Sequence, residues 1–337
     1  MNSPDRNTPQ PRGLSRRQLV TAVAASALTG FAGSASAATF PDRALKVILM
    51  FPPGGGSDSQ ARLVSEKLSG LLGQPVVVEN RPGGGGTIAA NAVKSLPADG
   101  YTLLHSAIDL MTLTPAFNAA ATYSPQDFLP LASIATAPPL LIARSEFPAN
   151  NVAELVALAK KKPGALSYGT WGPGSVPHVA GEWLQQQTGI QLTSIPYKGE
   201  VPLIQDMLGD QLPLGWATLP ALLPHLKAGK FKVLGVAAAR REPLLPNVPT
   251  FIEQGMPDFA ISGWMGLFVR KGTPPELVTL LNAKINEVLK MPDVQERIKG
   301  VGQTPVISTS AQFGEIVAKD ATRLKPTLEA LAPAIRN

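Results

Sequence analysis

Short apolar runs alternate along most of the chain with longer stretches whose apolar positions recur at helical spacing. Residues 46–51 read as a buried strand, and Ala61, Val64, Leu68, Leu71 and Leu72 then share one helical face. Ser57 or Asp58 is placed to cap that helix, and Gly73 ends it. A second strand at 76–79 leads through Asn80-Arg81-Pro82 and four glycines, Gly83 to Gly86, into a short alanine-rich helix and a third strand at 101–106. Strand, helix, strand, helix, strand predicts an α/β lobe with a parallel sheet.

The alternation restarts in the second half with different details. Residues 140–143 are apolar and extended, 152–161 an amphipathic helix, 166–168 a short strand, 175–188 a helix and 190–195 a strand. Segments 203–208, 221–227 and 233–238 continue it, and 274–289 and 311–331 read as helices able to pack back on the first lobe. The expected division is an N-terminal signal over 1–37, a first lobe over 38–140, a second over 141–259, and a return to the first over 260–337. With 337 residues, 44% of them hydrophobic, there are enough apolar side chains for two cores.

The first 37 residues follow another logic. Ser15-Arg16-Arg17-Gln18-Leu19-Val20 precedes a weakly apolar, uncharged stretch that ends in Ala35-Ser36-Ala37. This is the layout of a cleaved export signal, and the arginine pair favours the twin-arginine route. A retained anchor is disfavoured because residues 19–37 are rich in Ala, Ser, Thr and Gly. The segment holds Arg6, Arg12, Arg16 and Arg17 against Asp5, which is half of the net charge of +6. The remainder has no aromatic-interleaved basic patch, so nucleic acid is not an expected partner. Cysteine is absent, which excludes disulfides, thiol nucleophiles and thiolate metal sites.

Candidate chemistry concentrates in two strand-to-helix loops. In Pro53-Gly54-Gly55-Gly56-Ser57-Asp58 the glycines let backbone N–H groups approach an anion at a helix N-terminus, for which a carboxylate is the natural guest. A tight turn with no ligand is the other reading, and Asp58 either touches ligand or occupies the helix end as a cap. No P-loop lysine or dinucleotide fingerprint accompanies the glycines. The second loop, Gly169-Thr170-Trp171-Gly172-Pro173-Gly174-Ser175, occupies the corresponding place in the second half. Thr170 and Ser175 offer hydroxyls, and Trp171 walls a site or packs a core. His178 lies one turn into the helix that follows and either reaches ligand or has a capping or packing role. His105, His178 and His225 have no metal-ligand spacing, so neither metal nor cofactor is expected. Gly-Pro-Gly-Ser-Val-Pro fails the serine-hydrolase elbow.

Several motifs resemble a known family: Phe51-Pro52-Pro53-Gly54-Gly55-Gly56-Ser57-Asp58, Glu79-Asn80-Arg81-Pro82-Gly83, Pro97-Ala98-Asp99-Gly100-Tyr101, Pro196-Tyr197-Lys198-Gly199 and Gly272-Thr273-Pro274. Together they are similar to the solute receptors of tripartite tricarboxylate transporters, the Bug family. The resemblance implies a two-lobed type II periplasmic-binding-protein fold with a ligand cleft between the lobes. It also implies a periplasmic monomer that hands a small organic carboxylate to membrane transporter subunits. In such receptors the loops matching 54–58 and 170–175 grip the carboxylate. The segment holding Ser106, Ala107 and Asp109, with the stretches around Tyr197 and Thr218, lines the rest.

Departures from the family pattern bear on specificity. Trp171 stands where a small residue is usual, Leu212-Pro213-Leu214-Gly215-Trp216 replaces a more polar strand, and His105 and Asp109 replace small or neutral residues. An acid beside a carboxylate pocket favours a ligand that also carries a cation or donor. A sensory receptor presenting the same ligand remains an alternative. A small-molecule enzyme built on Asp58 or His178 would need an activated base or nucleophile that the sequence does not display. Lysine at both Arg16 and Arg17 should block export, with precursor accumulating in the cytoplasm on immunoblots; unchanged processing would rule out the twin-arginine route.

Overall fold

The computed structural model describes residues 40–118, 121–261 and 263–336. The expected export signal, residues 1–37 with its arginine pair, lies outside the described residues. The compact unit that concerns function begins at Arg43, and no helix among the described residues is long and apolar enough to cross a membrane.

β1 (Leu45–Leu49), α1 (Gly56–Leu72), β2 (Val76–Asn80), α2 (Thr87–Lys94) and β3 (Thr102–Ala107) open the chain. Ala61, Val64 and Leu68 of α1 are buried as their helical spacing requires, and Gly73 ends the helix in a left-handed conformation with φ 67°. The cap differs from expectation. Gly55 is the N-cap, in extended backbone, so Ser57 and Asp58 lie inside the first turn. A π-type turn (Asp109–Leu113) and α3 (Thr114–Phe117) then lead to β4 (Phe128–Thr136).

The chain now enters a second sheet with β5 (Pro139–Arg144), α4 (Val152–Lys161), β6 (Ser167–Thr170), α5 (Val176–Thr188), β7 (Thr193–Pro196), α6 (Glu200–Leu208), β8 (Leu214–Thr218), α7 (Leu219–Lys227) and β9 (Phe231–Val236). It returns through β10 (Trp264–Arg270), α8 (Pro275–Leu289), α9 (Pro292–Gly300), β11 (Thr304–Pro305) and α10 (Ser310–Arg336). The sheet orders are β11-β4-β10-β3-β1-β2 and β7-β6-β8-β5-β9.

Neither sheet is purely parallel, which corrects the sequence-based expectation. β1 pairs in parallel with β2 and β3, but β10 runs antiparallel to β3 and β4. In the second sheet β5 is antiparallel to both β8 and β9. The antiparallel members belong to the two stretches that cross between sheets, so they meet the βαβ strands against their direction. At the crossing the two stretches lie side by side: Ala137 N–H donates to Gly263 O at 2.8 Å and Ala237 N–H to Pro139 O at 3.0 Å. A Cβ at Gly263 would fall 1.8 Å from the Ala137 carbonyl oxygen, so only glycine permits this approach.

Each sheet is backed by aromatic packing. In the second lobe Phe259 stacks on Trp183 at 4.5 Å and on Phe251 at 4.4 Å between ring centroids. In the first, Trp264 meets Phe313 edge-on at 5.4 Å and donates its indole N–H to Asp320 at 3.0 Å.

Two helix glycines separate propensity from packing. A Cβ at Gly181 would come within 2.2 Å of the buried Tyr168 ring, whereas one at the exposed Gly70 meets nothing within 4 Å. Gly70→Ala should therefore stabilise by about 0.5–1 kcal/mol. Gly181→Ala should destabilise by roughly 1–3 kcal/mol through overpacking, despite the same gain in helix propensity. Urea unfolding of both variants checks the opposite signs.

Candidate functional site

A cavity lies between the lobes and is built from both. The first lobe supplies Phe51, Ser57, Ala107, Ile108, Asp109, Trp264 and Met265; the second supplies Trp171, Val176, Glu200 and Thr218. Ala137, Pro139 and Gly263, the crossing itself, complete its lining. It admits water centres over about 30 Å³, room for about two waters. A smaller cavity of about 10 Å³ adjoins it and is lined by Met50, Phe51, Gly83, Gly85, Gly86, Asp109, Trp171, Ser175, Lys198 and Gly199.

Of the residues singled out in the sequence, Ser57, Ala107, Asp109, Trp171 and Thr218 line the main cavity, and Ser175 lines the smaller one. Gly54, Gly55 and Gly56 face a separate groove of about 290 Å³ beside α7 and α9. Pro53 is exposed, and the structure places it in neither cavity. Tyr197 turns within the second lobe, donating its hydroxyl to Asp206 at 2.8 Å.

The remaining polar residues brace the loops. The Asp58 carboxylate accepts from Gly54 N–H at 3.1 Å, Asn80 Nδ2 at 2.8 Å and Arg62 Nε at 3.0 Å. Burial pushes its pKa up, but hydrogen bonds from Arg62, Asn80 and Gly54 outweigh that and leave it below its ordinary value. Asp58 is thus committed to shaping the first glycine loop. In the second loop Thr170 Oγ1 accepts from Gly172 N–H at 3.3 Å and Ser175 Oγ from Trp171 N–H at 3.2 Å. Gly174 N–H donates to His178 Nδ1 at 3.3 Å, and burial lowers the His178 pKa, so a neutral imidazole holds that turn. Gly172 and Gly174 sit at φ 103° and 72°, which explains glycine at both positions. Ser106 is wholly buried and donates to the Ala107 carbonyl at 3.0 Å.

Each glycine loop does receive a carboxylate, and each carboxylate comes from the opposite lobe. Asp109, which opens the π-type turn after β3, accepts from Val176 N–H at the start of α5 at 2.5 Å. Glu200, the first residue of α6, accepts from Thr218 N–H at 3.0 Å and Thr218 Oγ1 at 2.9 Å, and the Gly56 N–H at the start of α1 also reaches it. Two helix N-termini are therefore neutralised reciprocally across the cleft. Burial raises the Asp109 pKa to about 6 despite the Val176 N–H. It raises that of Glu200 too, with hydrogen bonds from Thr218 and Gly56 opposing and the nearby Asp109 charge adding to the rise.

Sequence reasoning missed Glu200, Phe51, Val176, Trp264 and Met265. Glu200 carried a local signal, an acid opening a helix directly after Tyr197-Lys198-Gly199. Trp264 and Met265 had none, because β10 reaches the cleft from far along the chain.

Residues 60–332 match the profile TctC, described as the tripartite tricarboxylate transporter family receptor. Protein BugT of Bordetella pertussis is 35% identical over 302 residues, covering 88% of this chain and 92% of the relative. An R. palustris structure with adipate superimposes with a TM-score of 0.82 at 32% identity, covering 86% of this chain and 97% of the other. MatC from Rhodopseudomonas palustris with bound malate gives 0.81 at 30% identity, covering 86% and 100%. A two-lobed binding-protein fold, a cleft between its lobes and a profile that spans both lobes agree: this chain belongs to the tripartite tricarboxylate transporter receptor family, whose members are solute receptors and not enzymes.

Proposed function

We propose that this protein is a periplasmic receptor that closes its two lobes around one small organic acid and presents it to the membrane subunits of a tripartite tricarboxylate transporter. The observation that carries this reading is the cavity at the lobe interface, lined from both lobes and floored by the crossing strands. Adipate and malate in the similar receptors support a small acid as the ligand class. The twin-arginine signal read from the sequence supports placement outside the cytoplasm.

A cavity of about 30 Å³ holds no such acid, so entry requires the lobes to part and binding to close them again. The closing face is tight. A Cβ on Gly56 would lie 2.5 Å from Pro220 Cβ of the second lobe, whereas one on Gly55 would lie at an ordinary 3.5 Å from Val201. Titration calorimetry with adipate, malate and their amino-bearing analogues, with small-angle scattering for compaction, tests the reading. A ligand found this way should bind Gly56→Ala at least about tenfold more weakly and Gly55→Ala much like the parent, a difference of about 1.4 kcal/mol. A bound acid that leaves the radius of gyration unchanged would count against a closing clamp.

Closure also has a pH signature. The Asp109 pKa is raised in the folded protein, so its contribution to stability is complete below its ordinary value near 3.8 and is lost as pH rises through about 6. His105, lowered to about 4 by burial, acts oppositely, contributing above its ordinary value near 6.5 and losing it as pH falls. The difference between parent and Asp109→Asn isolates the first effect, since asparagine keeps an oxygen for the Val176 N–H. Melting curves from pH 4 to 8 should show Asn gaining on the parent by a few degrees as pH passes through about 6; parallel curves would place Asp109 outside the closed cleft.

A further inference from the structure

We infer that the solute of this cleft is an amino-bearing acid, its carboxylate accepting from the Trp171 indole N–H and its ammonium donating to Asp109 and Glu200, rather than a dicarboxylate. The inference rests on the receptor reading above and names the chemistry of its ligand.

Asp109 and Glu200 line the same cavity and are buried, at 2% and 8% exposure. No lysine or arginine lines that cavity, and among the described residues neither carboxylate has an ion-pair partner. Lys198 lines only the adjoining cavity and is exposed. The Asp109 charge adds to the raised proton affinity of Glu200, and a dicarboxylate would add two more anions to a site lined by two acids and no cation. A ligand ammonium would reverse that repulsion.

The walls point the same way. Phe51 and Trp171 meet edge-on with centroids 6.0 Å apart, and Trp264 and Met265 complete an apolar box of the kind that favours a cation beside its acids. Trp171 also carries an independent signal. It is nine-tenths buried, it lines both cavities, and its indole N–H has no acceptor in the protein. A buried donor left unpaired is costly, so an acceptor on the ligand is favoured there. One orphan donor together with two acids matches a molecule with one carboxylate and one ammonium.

The test uses matched pairs that differ by exchange of one carboxylate for an amine-bearing group: adipate with delta-aminovalerate, and terephthalate with para-aminomethylbenzoate. Calorimetry on the mature protein should show the amino member of at least one pair binding about tenfold or more tighter than its dicarboxylate. Asp109→Asn and Glu200→Gln keep their hydrogen-bond acceptors and should each cut that preference, with melting curves confirming the fold. Trp171→Phe should weaken the amino acid about tenfold by removing one donor. Dicarboxylates that bind as tightly or more tightly would overturn the inference and leave the receptor reading standing, and so would a preference untouched by both acid variants. Failure of every compound to bind would overturn both.

Discussion

Two stretches of chain pass between the lobes, and they can lie against each other only because residue 263 has no side chain. The Ala137 carbonyl occupies the space that a Cβ there would need. Much of the architecture follows from that contact. The crossing makes each sheet mixed, since β10 and β5 enter against the direction of the βαβ strands. It also forms the floor of the cavity, because Ala137, Pro139 and Gly263 lie beneath the residues that converge from both lobes. On the proposed reading, a solute held there would sit on the joint about which the lobes move.

Carboxylates are exchanged across the cleft. Each glycine loop presents backbone N–H groups at a helix start, and each is met by a carboxylate from the other lobe, Glu200 at α1 and Asp109 at α5. A buried carboxylate is tolerable only when donors surround it; Asp109 takes the Val176 N–H from the opposite lobe, while Glu200 combines Thr218 of its own lobe with Gly56 of the other. The geometry that makes the loops suited to an anion is thereby used within the protein. The acids that serve this purpose remain on the cavity wall, where they shape what a ligand must bring. Trp171 lines the same cavity, so Asp109, Trp171 and Glu200 act on one small volume.

Much of the fold was legible in the chain. Apolar spacing placed α1, its terminating Gly73 and the helix Val152–Lys161, because burial of one face imposes a period that local sequence carries. Loop glycines were legible for a similar reason, since positive φ at Gly172 and Gly174 is a local demand. The long strands β4 and β10 were not. Both are apolar for most of their length and lie in the interior of the first sheet, so neither shows the alternation that marks a half-buried strand.

For the site, the sequence by itself determined which residues could shape an anion-friendly loop: the glycines, Asp58, Thr170, Ser175 and His178 act on backbone within a few positions of themselves or on the neighbouring strand. Only the tertiary structure decided who meets those loops. Glu200 lies 144 positions beyond Gly56, and Asp109 precedes Val176 by 67. Their pairing exists because two lobes joined at one crossing bring distant helix starts together, and Coulomb forces and hydrogen bonds depend on distance in space, which local sequence does not encode.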